Sequence, residues 1–192
     1  MKKLISCIAA TVLAMGAVFA QETVLKVGAT PEPHAEILNL VKDDLAAAGI
    51  TLKVIEFTDY VTPNEALEAG DIDANYFQHL PYLESFNTDR KFHLKNAGGI
   101  HIEPIALYSK KVQSLSALKK KATVAIPNDP TNEGRALLLL QAAGLITLKP
   151  NAGITATTLD IAKNPLKLKF REIEAASLPR VLPDVEDRKS VV

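Results

Sequence analysis

Cysteine is almost missing from this chain, because Cys7 is the only one in 192 residues. Cys7 lies in a segment with the layout of a secretory signal peptide: two lysines, an apolar run over residues 4–19, and Ala20 at the expected cleavage point. Residues 4–7 (LISC) resemble a lipoprotein cleavage box, but almost no apolar stretch precedes them. Cys7 is therefore interpreted as part of the discarded signal, and packing rather than disulfides must hold the exported chain together.

Long apolar runs are also scarce. The run at residues 4–19 has about 16 residues, which is short of the roughly 20 that a helix needs to span a bilayer. A permanent membrane anchor is the alternative interpretation of this segment, and no later segment could span. We therefore predict a cleaved signal peptide over residues 1–20.

The chain lacks an excess of either charge, with 22 basic and 22 acidic residues. Removal of residues 1–20 takes away Lys2 and Lys3, which leaves 20 basic against 22 acidic residues and a net charge of about −2. Nucleic acids and anionic membranes are bound through a basic field. Neither is expected as a partner.

Several catalytic motifs are absent. The sequence has no GxSxG elbow, no P-loop and no GxGxxG, so hydrolase and nucleotide-binding functions have no support. Its four histidines are too scattered for a metal-ligand spacing, and no cysteine can complete a zinc site. A metal-binding protein built on these histidines is the weakest of the alternatives, and no cofactor is expected. The histidines are His34, His79, His93 and His101.

Short apolar runs alternate with longer helical patterns along the chain. This alternation predicts an α/β fold with largely parallel strands, because parallel neighbours need a crossover between them. The predicted strands cover residues 23–28, 51–57, a run ending at 75–77, 122–127 and 167–173. The predicted helices cover residues 34–48, a short helix from 62, 81–87, 115–120, 132–143 and a short helix from 175.

Local signals set the expected helix ends. Thr62 and Glu65 have the spacing of a capping box, and Thr131 is predicted to cap the helix over residues 132–143. Gly49 and Gly144 are expected to end the preceding helices. Residues 100–108 are predicted to be extended and to lead into a second lobe.

The segment DANYFQHLPYL, residues 73–83, contains three of the ten aromatic residues. Strand alternation would place Phe77 on one side and Tyr76 on the other, before the chain turns toward Tyr82. Ligands of α/β sheets bind at the carboxyl edge of the strands, where this segment lies. The segment is predicted to be one wall of a pocket; the alternative is that Phe77 and Tyr82 are core residues and His79 bonds the backbone.

Arg135 is expected in the first turn of the helix capped by Thr131, where the helix dipole disfavours a cation. A guanidinium beside free helix N–H groups could bind a carboxylate or a phosphate. The alternative is an arginine that reaches into solvent.

Asp71 and Asp73 lie two residues apart and could act as an acid/base pair together with His79. This enzyme hypothesis competes with a simpler interpretation, in which the two aspartates close a turn after Gly70.

Four motifs in order resemble the methionine-binding NlpA/MetQ family of bacterial ABC importers: VGATPEPHAEIL, EAGDIDANYFQHLPYL, IPNDPTNEGRALLLLQAAGLI and TTLDIAKNPLKLKFREIEAASLPR. The resemblance covers about residues 24–186. It implies a periplasmic binding protein-like (type II) two-lobe α/β fold, each lobe a mostly parallel sheet flanked by helices, with crossing strands between the lobes.

The resemblance also implies a function without catalysis. A monomeric periplasmic protein would capture L-methionine and deliver it to an ABC transporter permease with its ATPase. The alternative ligands are another small amino acid or a methionyl dipeptide. The implied ligand-binding residues are Tyr60, Phe77, His79 and Tyr82 from the first lobe and Arg135 from the second.

Two features depart from the family. Residue 21 is Gln rather than a lipoprotein cysteine, so we expect a soluble periplasmic form or one held by an uncleaved signal. The chain is also expected to stop early, before an asparagine-containing strand that contributes to the pocket in the family. Residues 187–192 (DRKSVV) match what the nucleotides GATCGGAAGAGCGTCGTG of a sequencing adapter would encode, so we expect a non-native tail. The expected organisation is a signal peptide at residues 1–20, a first α/β lobe at 21–104, an incomplete second lobe at 105–186, and the tail.

Overall fold

The computed structural model describes residues 22–182. The predictions for the signal peptide at residues 1–20, including Cys7, and for the tail at 187–192 lie outside the described residues. No helix in the described part of the chain is long and apolar enough to cross a membrane.

The first sheet has three parallel strands: β1 (Thr23–Ala29), β2 (Ile50–Glu56) and β3 (Ala74–Tyr76). The order is β2-β1-β3, so β1 is central and both neighbours run parallel to it. The carboxyl-terminal half of β1 is buried, including Val27 and Ala29. The predicted strands are confirmed to within a residue or two at their ends.

The connection from β1 to β2 is more broken than predicted. An irregular turn at Pro31–Ala35 leads into α1 (Glu36–Leu40), and α2 (Lys42–Ala47) follows. One continuous helix over residues 34–48 is wrong, because Val41 leaves the helical region with φ −96° and ψ 2°. Gly49 ends this stretch with φ +79°, as predicted from the freedom of glycine at this conformation.

Helix α3 (Thr62–Ala69) connects β2 to β3, and its amino end corrects the predicted capping box. Thr62 is already helical, and the side chain of Asp59 does the capping. Its Oδ1 accepts the N–H groups of Val61 at 2.8 Å and Thr62 at 2.7 Å, and its Oδ2 accepts the Thr62 hydroxyl at 2.8 Å.

Helix α4 (Leu80–Arg90) follows β3 and is longer than the predicted helix at residues 81–87. Residues 92–109 contain neither helix nor strand. This crossing segment, residues 92–109, includes the predicted extended passage at 100–108. The lobe boundary at residue 104 remains a prediction.

The second sheet pairs β4 (Thr123–Pro127) in parallel with β7 (Lys169–Ile173). Helix α5 (Pro130–Ala142) follows β4 and packs on it. The remaining elements are the antiparallel pair β5 (Thr147–Leu148) and β6 (Ile161–Lys163), helix α6 (Leu178–Val181), and 3₁₀ turns at Leu115–Ala117, Thr158–Asp160 and Ala175–Ser177.

Asp129, and not the predicted Thr131, caps α5. Its Oδ1 accepts the N–H of Asn132 at 3.0 Å. Pro130 explains the difference, because the residue before a proline is excluded from the helical region and must stay extended. Asp129 has φ −87° and ψ 146°, the conformation that an N-cap requires. Gly144 follows the helix with φ +72°, in agreement with its predicted role.

The first sheet with its helices α1–α4 is called the first unit, and the second sheet with α5 is called the second unit. The core of the second unit lies between β4 and α5. Val124 and Ile126 from the strand and Leu137 and Leu140 from the helix are each 1% exposed or less. Burial of such a side chain contributes about 1.5–3 kcal/mol relative to exposure. This packing fixes the position of α5 and thus of the polar residues in its first two turns.

Gly134 lies where α5 touches the loop that follows β5. A Cβ atom at this position would overlap the carbonyl oxygen of Ile154 and come within 3.1 Å of the Thr155 nitrogen. Both are backbone atoms and cannot rotate away. The glycine is therefore required by close approach of two backbones.

We expect Gly134→Ala to lower the free energy of unfolding by about 1–3 kcal/mol, because overpacking outweighs the better helix propensity of alanine. Gly153→Ala is the matched control, since a Cβ at Gly153 meets no atom within 4 Å. Urea unfolding of both variants measures the effect. Equal stability of the two variants would contradict the close contact.

Candidate functional site

The three parallel strands of the first sheet bring their carboxyl ends to one edge. Thr30 and His34 follow β1, Tyr60 follows β2, and Phe77 and His79 follow β3. Parallel pairing makes this edge common to all three strand exits, including the predicted pocket segment after β3. The polar and aromatic side chains described below extend from these exits.

Tyr60, Phe77 and Tyr82 form an aromatic wall. The Tyr60 and Phe77 ring centroids are 5.9 Å apart, Phe77 and Tyr82 are 6.1 Å apart, and Tyr60 and Tyr82 are 6.4 Å apart. The Tyr82 hydroxyl donates to the Tyr60 carbonyl at 2.8 Å, which ties the loop after β2 to α4. These distances lie in the range preferred by aromatic pairs.

A buried amide network holds the segment after β3 against α3. Asn64 is completely buried, and its Oδ1 accepts from Asn75 Nδ2 and from Gln78 Nε2, both at 2.8 Å. Asn64 Nδ2 donates in return to Gln78 Oε1 at 2.9 Å. The neutral polar residues of the DANYFQHLPYL segment thus fix its backbone, while its rings form the wall.

Tyr76 and Phe77 point to different neighbours, as strand alternation predicted. The Phe77 ring contacts Tyr60 and Tyr82, whereas the Tyr76 ring contacts His34 and His101 with centroids 4.9 Å and 5.6 Å away. Phe77 and Tyr82 are only 8% and 7% exposed, so the alternative prediction that they are core residues is correct in part. They are core residues of the first unit and wall residues of its edge at once.

His79 lies beside the aromatic wall, with its ring centroid 6.4 Å from that of Tyr82. Its Nε2 is buried and has no hydrogen-bond partner among the described residues. Burial lowers the pKa of His79, and the positive charge of Arg135 lowers it further, against an opposing effect of Asp129. Burial and Arg135 thus both favour the neutral form of the imidazole.

Arg135 lies in the second turn of α5, not in the first as predicted, because the helix begins at Pro130. Its Nη1 donates to Asn132 Oδ1 at 3.0 Å, and its Nη2 donates to the Glu103 carbonyl in the crossing segment at 2.8 Å. Within residues 22–182 it has no carboxylate within 4.0 Å. The half-buried guanidinium thus has no carboxylate counterion in the described part of the chain.

Charges of the second unit act on the aromatic wall. Burial is the largest cause that raises the pKa of Tyr82, and the negative charge of Asp129 is the second. The pKa of Tyr60 is raised first by burial, then by the charge of Glu103 and then by that of Asp129. Helices α4 and α5 also pack against each other. The structure thus brings Tyr60, Phe77, His79 and Tyr82 together and places Arg135 within electrostatic reach of His79.

The two aspartates of the enzyme hypothesis lie away from this wall. Asp73 Oδ2 accepts the Lys26 N–H at 2.7 Å, and the Asp71 carbonyl accepts from Lys26 Nζ at 3.3 Å. Both aspartates precede β3, whereas His79 follows it. The aspartates thus tie the turn before β3 to the middle of β1, as the simpler interpretation predicted.

The view that the histidines are scattered is wrong for two of them. His34 and His101 meet with ring centroids 5.3 Å apart, and Glu103 lies beside both. Burial lowers the pKa of His34; the negative charge of Glu103 opposes this effect, whereas His101 lowers the pKa further. No local spacing could reveal this cluster, because the two histidines are separated by 67 positions and meet only through the crossing segment.

The fold belongs to the class of two-lobe α/β substrate-binding proteins, which its solved neighbours represent. The structure of a nutrient binding protein from Burkholderia cenocepacia bound to methionine is similar with a TM-score of 0.81 and 50% identity, over 88% of this chain and 70% of that one. The sequence model described as NlpA lipoprotein matches residues 25–189. The chain belongs to this family.

Two curated relatives carry the name D-methionine-binding lipoprotein MetQ. The protein from Salmonella typhimurium is 52% identical over 144 residues, which is 75% of this chain and 53% of the relative. The protein from Escherichia coli K12 is 49% identical over 158 residues, which is 82% of this chain and 58% of the relative. The chain thus spans a little over half the length of these relatives.

The pKa of His79 in the folded chain lies below its ordinary value of 6.5. Between these two pKa values, the unfolded chain binds a proton at His79 more strongly than the folded chain does. Stability from this group is therefore present above pH 6.5 and is lost as the pH falls toward the folded pKa. We expect His79→Gln to lose less stability than the unsubstituted chain between pH 7 and pH 5. Denaturant unfolding across this range measures the difference.

His93→Gln is the control for this titration, because the His93 side chain is 85% exposed and lies outside the wall. An identical loss of stability in His79→Gln and His93→Gln would contradict the lowered pKa of His79.

Proposed function

We propose that this chain is part of a substrate-binding protein that captures methionine and delivers it to the permease and ATPase of an ABC importer. The observation that carries the proposal is the buried Nε2 of His79 beside an aromatic wall, within electrostatic reach of the Arg135 guanidinium. Among residues 22–182, this Nε2 has no hydrogen-bond partner and the guanidinium has no carboxylate counterion. The methionine named for the Burkholderia cenocepacia structure, at 50% identity, supports the ligand class.

The wall suits the side chain of methionine. A thioether is polarizable and packs favourably at the edges of aromatic rings, with about 0.3–1.5 kcal/mol per contact. Tyr60, Phe77 and Tyr82 offer three such rings within 6.4 Å of one another. We assign these rings to the ligand side chain.

Arg135 suits the carboxylate of an amino acid. Two of its five N–H donors are engaged by Asn132 and by the Glu103 carbonyl, which hold the guanidinium in place. The remaining donors can form charge-assisted hydrogen bonds with a carboxylate. His79 Nε2 then supplies a neutral polar contact at the same wall and acts neither as an acid nor as a base.

The proposal includes no catalysis. Asp71 and Asp73 are held in a turn with Lys26 on the amino side of β3, so this pair of carboxylates lies away from the wall. Closure of the lobes would be a hinge motion through residues 100–108 of the crossing segment. We further propose a periplasmic, monomeric protein exported by the segment at residues 1–20.

Replacement of Arg135 by Ala should weaken methionine binding by at least about 2 kcal/mol, because a desolvated carboxylate would lose its charged partner. Calorimetric titration of the full chain with L-methionine and D-methionine measures the affinity. Arg171→Ala, an exposed arginine of β7, is the matched control and should bind like the unsubstituted chain.

Tight binding of another amino acid or of a methionyl dipeptide, without methionine binding, would replace methionine as the ligand. Product formation that disappears in His79→Ala would replace the binding function with an enzymatic one. Equal affinities of Arg135→Ala and Arg171→Ala would remove Arg135 from the site.

A further inference from the structure

The cluster of His34, His101 and Glu103 lies at the strand edge beside the aromatic wall but is not used by the proposed function. Glu103 Oε1 is 3.4 Å from His101 Nε2 and 4.0 Å from His34 Nε2. One ligand atom from each of the three residues lies within 4.8 Å of the others. The longer distance exceeds that of a hydrogen bond, so His34 and Glu103 are not joined directly by one.

Both imidazole rings are held from behind by a hydroxyl group. His34 Nδ1 is 2.7 Å from Thr30 Oγ1, and His101 Nδ1 is 2.6 Å from the Tyr76 hydroxyl. When each Nδ1–H donates to its hydroxyl oxygen, each Nε2 keeps a lone pair that faces the Glu103 carboxylate. Metal-binding histidines are oriented in this way, with the second ring nitrogen fixed by a hydrogen bond.

We propose that His34, His101 and Glu103 form a binding site for a divalent transition-metal ion, with Zn²⁺ as the best fit. Zinc binds imidazole nitrogen and carboxylate oxygen at about 2.0–2.2 Å, which in a tetrahedral site places ligand atoms roughly 3.3–3.5 Å apart. The His101 to Glu103 distance already has this value, and the His34 to Glu103 distance exceeds it by about half an ångström. The widest separation between ligand atoms, 4.8 Å, must close by about 1.4 Å when the ion binds. Two histidines and one carboxylate leave the fourth position for water.

The exposure of the three side chains suits an ion that enters from solvent. The His34 side chain is 8% exposed, that of His101 is 28% exposed, and that of Glu103 is 50% exposed. The buried histidine forms the base of the site, and the carboxylate lies at its mouth. The fourth position therefore opens toward water.

The order of residues along the crossing segment explains why two ligands share one side. His101 and Glu103 are two positions apart, and the residue between them, Ile102, is 92% exposed. In an extended chain such residues face the same way and the intervening side chain faces the other. A bound ion would join this segment to His34 of the first unit, independently of any amino-acid ligand.

Zinc binding to the full, untagged chain tests the proposal, with ZnCl₂ titrated in competition with a chromophoric chelator. We expect about one equivalent of zinc, with at least about tenfold weaker binding in His101→Ala and in Glu103→Gln, because each loses a ligand. His93→Ala is the matched control: His93 is an exposed histidine 3.3 Å from Glu68 and lies outside the cluster. It should bind zinc like the unsubstituted chain.

Tyr76→Phe keeps the ring and removes the hydroxyl behind His101, so zinc affinity should fall by about tenfold as expected for the loss of an outer partner. Glu103→Gln preserves the shape of the side chain, so its result does not depend on a change in packing. Equal zinc affinity in the unsubstituted chain, Glu103→Gln and His93→Ala would overturn the proposal, as would the absence of stoichiometric zinc in the unsubstituted chain. A chain that binds zinc but not methionine would leave this site standing and remove the proposed function.

Discussion

Parallel pairing on both sides of β1 is the constraint on which the site depends. Parallel strands all leave the sheet at the same edge, and their crossover helices must return the chain to the other edge. Residues distant in sequence, such as His34, Tyr60 and Phe77, therefore meet at one end of the sheet. These residues converge because the three strands run in the same direction, and no attraction between their side chains is needed to bring them together.

Secondary interactions then turn this shared edge into a defined surface. The Asp59 side chain accepts hydrogen bonds from the N–H groups at the amino end of α3. Burial acts to raise the pKa of Asp59, but the hydrogen bonds from Thr62 and Val61 outweigh it, so the pKa is lowered. The amide network around Asn64 does the same for the exit of β3. Each loop is held by polar groups that would be costly to leave unpaired once buried. The aromatic rings are thus positioned by the backbone beneath them.

Features that depend on local order were predictable from the sequence. The alternation of strands and helices predicted the α/β fold, and Gly49 and Gly144 marked helix ends through a conformation that glycine adopts easily. The opposite directions of Tyr76 and Phe77 followed from strand geometry alone. The four rings and polar atoms assigned to the first lobe, at Tyr60, Phe77, His79 and Tyr82, do lie together, whereas their roles toward a ligand remain predictions.

Features that depend on competition or distance were not predictable. Thr131 and Asp129 are both good caps, and only the steric effect of Pro130 on its predecessor decides between them. That shift moved Arg135 from the first to the second turn of α5. His34 and His101 carry no mutual spacing signal, because the crossing segment that brings them together has neither helical nor strand periodicity. The histidines are adjacent only in the folded chain.

The close approach at Gly134 has a consequence for the neighbouring arginine. The helix backbone rests directly on the backbone at Ile154 and Thr155, with no side chain between them to yield. Arg135 is the next residue, so the height of its guanidinium above the first unit is set by that contact. A substitution at Gly134 would shift the Arg135 guanidinium although Arg135 itself is unchanged. A loss of ligand affinity in such a variant would then be mistaken for the removal of a ligand-binding group.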